Sequence, residues 1–439
     1  MKTKAKLLSG FLDYMPSRMA SREEIVRIVK SVYETFGFVM QSTPCIEYAE
    51  LLCDKIGEDE KLIYRFKDNG DRDVVLRYDL TVPLVRIIGS YSNELKFPYR
   101  RCQLGTVWRA DSPGKGRFRE FLQFDADIIG DDSVLSDAEV LIIVIVIMKK
   151  LKFPAQVRFN SREILSSLIK ACGLNQEKGK ILLRILDKYD KVGKDNVLLM
   201  FKEAGFEDRV VSVIEKYLSI RGNNQEIISS LEKLFISNGI NPEGIERMKQ
   251  ISDILIKSGF DQSVCSIDLS IARGLDYYTG LIYETKFLLD PGFGSVCSGG
   301  RYDKMIEMPN GESVPTVGVG FGVDRIFSAM EDQKILPRID IGTDVMIINF
   351  DESKLPDYVS LANELRDFGI SSLVYPKAVK ISKQFKSANV NSVRVTLMLG
   401  EDEISSGTVT LKDMENQNQF KCLRTELVNE IKQLLKKEA

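Results

Sequence analysis

Histidine does not occur in any of the 439 residues. Its absence removes the Ser-His-Asp triad, the histidine metal ligand and the imidazole general base together. Any catalysis must rest on arginines, carboxylates, hydroxyls, backbone donors or a bound metal. Cysteine gives little in return: Cys45, Cys53, Cys102, Cys172, Cys265, Cys297 and Cys422 are scattered, odd in number and without a Cys-x-x-Cys pair. That pattern fits neither a zinc site nor a disulfide framework and points to a reducing cytoplasm. The N-terminus lacks the apolar core of a signal peptide. The most apolar run, residues 140–148, is too short for a bilayer, which takes about 20 residues in a helix, and reads as a buried helix. Charge of one sign is not in excess either. With 61 basic and 63 acidic residues the net charge is −2, which excludes a globally basic nucleic-acid coat and leaves local patches open. What is present is an ordinary soluble composition, 44% apolar and 28% charged, on a chain long enough for two or three domains.

The most informative stretch is residues 107–130, where Asp111, Ser112, Pro113, Gly114 and Gly116 supply the turn of a hairpin between two alternating flanks. A side-chain period of two divides the second flank. Phe118, Leu122, Phe124, Ala126 and Ile128 form a packing face interrupted by Glu120, while Arg117, Arg119, Phe121, Gln123, Asp125 and Asp127 point the other way. Such a polar row fits a solvated outer face or a polar ligand. For a ligand, Arg109 and Arg117 are planar forks matched to phosphate or carboxylate oxygens, and Phe121 offers a flat surface to a base. Gln123 and Asp127 follow farther along. The face therefore grades from anion-binding to cation-binding, as a zwitterion beside a nucleotide requires.

Along the rest of the chain, periodicity predicts a helix capped at Ser21 or a neighbour and running to about Phe36, with Ile25, Ile28, Val29 and Val32 on its apolar stripe and Gly37 ending it. A strand follows at residues 38–41. Alternation over residues 74–81 puts Arg77, Asp79 and Thr81 on one strand face, where Asp79 and Thr81 could grip an ammonium group. The same residues also read as a strand-end cap leading into a helix after Pro83. Residues 131–151 read as a helix and 157–159 as a short strand. Helical segments punctuated by Gly and Asn then occupy about 166–258, an inserted subdomain with no chemical motif.

Strand signals return over 267–287, broken by Arg273-Gly274-Leu275-Asp276-Tyr277-Tyr278-Thr279-Gly280. In Ser295-Val296-Cys297-Ser298-Gly299-Gly300-Arg301-Tyr302-Asp303 the glycine pair marks a bulge or a close approach. Gly318-Val319-Gly320-Phe321-Gly322-Val323-Asp324-Arg325 opens a helix through Met330 and lacks the dinucleotide-binding spacing. It places Arg325 in a first helical turn, which favours an anion, or leaves it a plain surface arginine. Residues 331–342, with Pro337, form the expected linker. Beyond it come strands near 345–350, 372–375, 393–399 and 408–412, and helices over 358–368, from Ala378 and from about Cys422, together a small α/β domain. Its Lys377, Lys380, Lys383 and Lys386 recur every third residue without an intervening acid, as a solvated face or as a stripe for a phosphate backbone.

Together these segments resemble the class II aminoacyl-tRNA synthetases, and among them the histidyl-tRNA synthetase family. The Arg-bearing hairpin looks like the second motif of that class and Gly318-x-Gly320-x-Gly322-x-x-Arg325 like the third. Arg273-Gly274-Leu275-Asp276-Tyr277-Tyr278 and Ser298-Gly299-Gly300-Arg301-Tyr302-Asp303 resemble the two signature peptides of the histidine-specific family, and the likeness extends through Gly400-Glu401-Asp402-Glu403 to the final domain. The resemblance implies an α+β fold: an antiparallel catalytic sheet flanked by helices over residues 1–332, with the helical insertion at about 166–258, a linker at 333–342 and an α/β anticodon-binding domain over 343–439. It further implies a cytoplasmic homodimer built partly through the first helix and Pro44, and an insertion that touches tRNA. The implied reaction is ATP-dependent ligation of histidine to its tRNA through a histidyl-adenylate, with Mg2+ accompanying ATP and no identifiable protein ligand for it.

Carried over position by position, the resemblance has Arg109 and Arg325 holding the ATP phosphates, Arg117 beside them and Phe121 stacking on adenine. Asp79, Thr81 and Gln123 would hold the histidine amino group. Arg273 would hold its carboxylate and the transferring phosphate, with Arg109 also among the histidine contacts. Asp127 and Tyr278 would reach the two ring nitrogens, Tyr277 would close the pocket, and Lys380, Lys383 and Lys386 would meet tRNA. Arg109, Arg273 and Arg325 are thereby the catalytic residues: fixed cations that stabilise charge on a five-coordinate phosphorus without proton transfer. An imidazole is selected by pairing both nitrogens, because a competitor lacking one leaves a buried polar group unpaired. The chain departs from the family in the shorter carboxylates of Asp79 and Asp127, where Glu is frequent, and in Leu122, where a more polar or aromatic residue is common. The competing readings are a non-catalytic paralogue that senses histidine or uncharged tRNA and a ligase of another specificity. Retention of Arg109, Arg273, Arg325 and the last domain speaks against the first.

Overall fold

The computed structural model describes residues 6–51, 61–273, 277–308, 311–339 and 341–435. The chain divides into two compact units, Met1–Pro337 and Arg338–Ala439.

In chain order the first unit carries strands β1 (Val39–Met40), β2 (Ile46–Tyr48), β3 (Arg65–Lys67), β4 (Asp73–Leu76), β5 (Tyr99–Trp108), β6 (Glu120–Ile129), β7 (Ala155–Ser161), β8 (Cys265–Ile267), β9 (Leu281–Phe287), β10 (Ser295–Arg301) and β11 (Thr316–Phe321). An eight-stranded sheet runs β1-β5-β6-β11-β10-β9-β7-β8, and a small one runs β2-β4-β3. In the large sheet the two end pairings, β1–β5 and β7–β8, are parallel. The pairings between them are antiparallel.

Helix α1 (Pro16–Thr35) begins before the expected cap at Ser21. Proline in the first turn explains the earlier start, since its missing N–H has no partner to lose there. Ser21 lies inside the helix, where its hydroxyl donates to the Pro337 carbonyl at 2.8 Å, while Ile25, Val29, Val32 and Tyr33 bury one stripe. A second difference concerns residues 77–81. Strand β4 stops at Leu76, and helix α2 (Thr81–Tyr91) starts at once. Asp79 Oδ1 accepts from the backbone N–H of Thr81 at 3.1 Å and of Val82 at 2.9 Å. These are orphan donors of the first turn, so the cap reading describes the local structure. Arg77, Asp79 and Thr81 consequently do not share a strand face.

Helix α3 (Val134–Lys150) is capped by Ser133 and apolar nearly all round, with Val140, Leu141, Ile143, Val144 and Ile147 fully buried. A helix of that composition needs neighbours on every side. Helices α4 (Arg162–Ala171), α5 (Gln176–Leu186), α6 (Tyr189–Val192), α7 (Lys194–Glu203), α8 (Asp208–Ser219), α9 (Asn224–Ser237) and α10 (Ile245–Lys257) follow β7 and share one continuous core with the sheet. Helix α11 (Val323–Asp332) follows β11. The glycine pair of β10 answers to close approach: a Cβ on Gly299 would lie 2.1 Å from the Gly318 carbonyl, and one on Gly300 2.4 Å from that of Leu281. The register irregularity of this strand falls instead at Ser295/Cys297.

The second unit holds β12 (Val345–Ile347), α12 (Leu355–Asp367), β13 (Ser372–Val374), α13 (Ile381–Val390), β14 (Val395–Met398), α14 (Glu401–Ser406), β15 (Thr408–Asp413), β16 (Gln419–Leu423) and α15 (Leu427–Leu435). Its sheet runs β13-β12-β14-β15-β16. The helix expected from about Cys422 is displaced: Cys422 sits in β16, opposite Val409 of β15. A tight turn with Gln417 at φ 58° reverses the chain before it. The helix expected from Ala378 starts at Ile381.

Candidate active site

A cavity of about 940 Å³ is bounded by Arg109, Arg117, Phe121, Arg273, Glu284 and Arg325, among others. The β5–β6 hairpin supplies the first three, through a register that pairs Val107 with Phe121 and Trp108 with Glu120. Its connecting loop narrows where Gly114 bridges Arg117. Gly116, at positive φ, brings the backbone onto Phe293, where a Cβ would come within 2.4 Å of the ring. Arg119, expected on the same row, turns away: its Nε donates to the Asp111 carbonyl at 3.1 Å and its Nη1 to that of Ser9 at 3.3 Å.

The arginines are held by neutral groups. Arg109 donates from Nε to the Tyr78 carbonyl at 3.1 Å, with its guanidinium 4.2 Å from the Tyr78 ring and 5.4 Å from that of Phe121. Arg325 donates from Nε to the Ser295 carbonyl at 2.5 Å and from Nη2 to that of Phe293 at 2.6 Å. Burial pushes the Arg325 guanidinium down to about 10, and repulsion from Arg117 and Arg273 adds to the fall. A cation disfavoured in this way is stabilised by any anion that enters. Among the described residues no carboxylate pairs with Arg109, Arg117 or Arg325. Arg273 differs, because its Nε lies 2.9 Å from Glu284 Oε2 and 3.9 Å from Asp187 Oδ1. Gly274, Leu275 and Asp276 of the same peptide lie outside the described residues.

Asp79, Thr81, Gln123, Asp127, Tyr277 and Tyr278 are not among the described residues that line this cavity. Apart from the exposed Tyr277, they lie half-buried or buried, and Asp79, Asp127 and Tyr278 are near enough to feel one another's charge or that of Arg101. Asp125 and Asp127 are 5% and 3% exposed, so the polar row of β6 is not a solvated face. Asp127 stands opposite Arg101 of β5. Its Oδ2 lies 2.6 Å from Arg101 Nη2, and its Oδ1 accepts from the Tyr302 hydroxyl. Oδ1 is thus taken up by a hydrogen bond, whereas Oδ2, in ion-pair contact with Arg101, has no aligned hydrogen-bond donor among the described residues and is the oxygen left to an imidazole nitrogen. Burial raises the Asp127 carboxyl while Arg101 opposes the rise. Arg101 is wholly buried and donates to the Leu80 carbonyl at 3.1 Å.

Burial also raises Asp79, against the two N–H donors it caps and the nearby Arg109. It pushes Asp125 up to about 8, against Arg101 and with the help of Asp127 and Asp79. Gln123 Nε2 lies 3.4 Å from Asp125 Oδ1, and its Oε1 is buried without a hydrogen-bond partner among the described residues. Burial lifts the Tyr278 hydroxyl well above the usual tyrosine range. Its ring centroid is 4.3 Å from that of Tyr277, which is half exposed.

Sequence reasoning missed Arg101 and Tyr302 as parts of this region and Glu284 beside Arg273, and it set Asp125 on the polar row without giving it a role. Arg101 was within reach. Continuing the hairpin register back along β5 places it opposite Asp127. Among the described residues no group of three or more His, Cys, Asp or Glu is placed to hold a metal ion. No helix among the described residues is long and apolar enough to cross a membrane. In the second unit Lys380, Lys383 and Lys386 are exposed, Lys380 preceding α13 and the other two upon it.

Two family models match the chain: "Histidyl-tRNA synthetase" over residues 10–326 and "Anticodon binding domain" over residues 344–434. A histidine–tRNA ligase of Wolinella succinogenes is 37% identical over 97% of this chain and 97% of its own length. One from Clostridium tetani is 36% identical over 98% of each. The crystal structure of a histidyl-tRNA synthetase from Nostoc sp. PCC 7120 matches with a TM-score of 0.87 at 27% identity, covering 98% of this chain and 100% of that one. The apo enzyme of S. aureus, at 22% identity, shares the fold with a TM-score of 0.72, covering 98% of this chain and 100% of that one.

Proposed function

Because the chain belongs to the histidyl-tRNA synthetase family, we propose a division of labour in which the open, cation-lined cavity takes ATP and the closed, acid-rich region takes the amino acid. The protein is an aminoacyl-tRNA synthetase that ligates histidine to tRNA. The observation that carries the division is Arg325, a half-buried guanidinium crowded by Arg117 and Arg273 and held, among the described residues, by backbone carbonyls and the Phe293 ring, with no carboxylate beside it. A triphosphate relieves that crowding. In this reading Arg325 and Arg109 grip the phosphates, Arg117 stands beside them, and Phe121 lies under adenine. Arg273 bridges the histidine carboxylate and the α-phosphate. As the carboxylate attacks and pyrophosphate departs, charge grows on the phosphoryl oxygens, and pre-placed cations stabilise it without reorganising. Mg2+ enters with ATP as part of the substrate.

On the other side Asp79, Thr81 and Gln123 receive the ammonium group. Asp127 and Tyr278 reach the ring nitrogens, Asp127 while still tied to Arg101, and Tyr277 covers the opening. Lys380, Lys383 and Lys386 supply cations to the phosphate backbone of tRNA, in an anticodon-binding unit matched over residues 344–434. A homodimer is supported by the exposed apolar side chains Val39 and Met40 on β1 and Ile46, Tyr48 and Phe66 on the small sheet, since exposed apolar surface beyond scattered single residues marks protein–protein contact. A cytoplasmic location is supported by the free thiols of the described cysteines. The test is ATP–pyrophosphate exchange with each amino acid in turn, followed by aminoacylation of tRNA. Exchange with histidine alone is expected, and exchange driven by another amino acid, or by none, removes the reading.

A further inference from the structure

We propose that Glu284 is a positioning residue for Arg273: its buried carboxylate holds the guanidinium by Nε at the cavity wall, leaving the terminal nitrogens to meet substrate oxygens. The proposal rests on the reading of Arg273 given above.

Arg273 is the least supported of the three arginines assigned to catalysis. Arg109 is stacked near two rings and Arg325 is tied to backbone carbonyls. Arg273 lies outside regular structure, its side chain is 45% exposed, and each of its ion contacts is shortest at Nε. Glu284 is its opposite. It sits on β9, in register with Arg158 of β7 on one side and Ser298 of β10 on the other. It is 5% exposed and borders the cavity. Its Oε1 meets Arg158 Nη2. That guanidinium also receives Asp190 at 2.6 Å and Asp268 at 2.7 Å. Two carboxylates already answer the buried charge of Arg158, so the third is surplus there, and its free oxygen faces Arg273.

The contact with Arg273 is unfinished. Nε and Oε2 are 2.9 Å apart, the distance of an ion pair, yet Oε2 has no aligned hydrogen-bond donor among the described residues. A buried carboxylate oxygen without a straight donor is unfavourable. A small rotation of the guanidinium removes the defect, and an anion on its outer edge drives that rotation. Arginine suits such a double role because its donors form a rigid fork.

The test is steady-state ATP–pyrophosphate exchange for the parent protein, Glu284→Gln, Glu284→Asp, Arg273→Ala and the Glu284→Gln/Arg273→Ala pair, with Asp268→Asn as the control that touches Arg158 but not Arg273. Glu284→Gln keeps the volume and leaves Arg158 two carboxylates, so it folds. Positioning predicts that kcat falls by about 10- to 100-fold, as a misplaced reacting group does, with KM for ATP much less affected. Glu284→Asp recovers part of the loss, Asp268→Asn stays within about 3-fold of the parent, and the double variant is no worse than Arg273→Ala alone. A parent-like Glu284→Gln, losses that multiply in the double variant, or an equal loss in Asp268→Asn overturns the positioning role and leaves the role of Arg273 intact. Parent-like exchange in Arg273→Ala overturns the role of Arg273, and the proposal with it.

Discussion

On the cavity side of the site, Arg109, Arg117 and Arg325 border open space, Arg109 and Arg325 with carbonyls and rings for company. On the closed side, Asp125 and Asp127 are buried about Arg101, the Tyr302 hydroxyl and the Gln123 amide. The contrast follows from solvent. Cations at the rim of an open cavity keep part of their solvent and, where burial disfavours them as at Arg325, wait on neutral groups for an anion, whereas buried carboxylates must find internal partners or give up their charge. Anion binding on the first side is therefore a net gain of contacts, and amino-acid binding on the second is an exchange of one set of partners for another. Variants on the open side should damage chemistry and spare the fold, and those on the closed side should damage both.

The largest effect is expected at the open side. Arg325→Ala removes a donor aimed at developing charge, and exchange should fall by about 10²-fold or more while the thermal midpoint stays near that of the parent. A loss of only a few-fold would break the comparison. Next comes Arg101→Met on the closed side, which leaves Asp127 without its cation in the interior. Stability should fall by about 3–5 kcal/mol in denaturant titrations, against a change within about 0.5 kcal/mol for Arg117→Ala. Similar values for the two would mean that the halves are not distinguished by burial. Ending the chain after Pro337, where the two compact units divide, should lower aminoacylation of tRNA far more than pyrophosphate exchange. Equal losses would assign the second unit to holding the catalytic unit together.

Smaller effects sharpen the contrast. Burial pushes the Asp125 carboxyl up to about 8, while in the unfolded chain it ionises near its ordinary value of about 4. Between these two pH values the folded state binds the extra proton, so the contribution of Asp125 to stability is fully present at the acid end and is lost as pH rises towards the folded value. Thermal midpoints measured from pH 5 to 8 should fall for the parent relative to Asp125→Asn, which cannot titrate. Parallel curves would show that Asp125 is not held neutral. Smallest of all, Lys383→Ala should reduce the slope of log affinity for tRNA against log salt by less than about 1, with exchange unchanged. An unaltered slope would leave that lysine a solvated side chain.

The same contrast explains what the sequence made legible. The cavity arginines stand beside turn and strand-end residues, Gly116 and Gly322 among them, whose local geometry is largely set by the chain around them, and Arg109, Arg117, Phe121, Arg273 and Arg325 indeed meet at one cavity. The closed side depends on pairings distant in sequence. Arg101 with Asp127 needed the hairpin register extended, and Tyr302 with Asp127 joins β6 to the residue that follows β10. Asp79 was ambiguous by nature, since a carboxylate two residues before a helix serves as well for capping as for gripping an ammonium. Tertiary pairing likewise decided Cys422, which β15 recruits into a strand where local pattern favours a helix.

The most direct test of the division is calorimetric binding of histidine, without ATP, to the parent, Arg325→Ala and Asp127→Asn proteins, each first shown to be folded. Arg325→Ala should bind histidine as the parent does, and Asp127→Asn should lose most of its affinity. If Arg325→Ala loses histidine as completely as Asp127→Asn, or if Asp127→Asn binds normally, the separation of an anion-binding half from an amino-acid-binding half is contradicted.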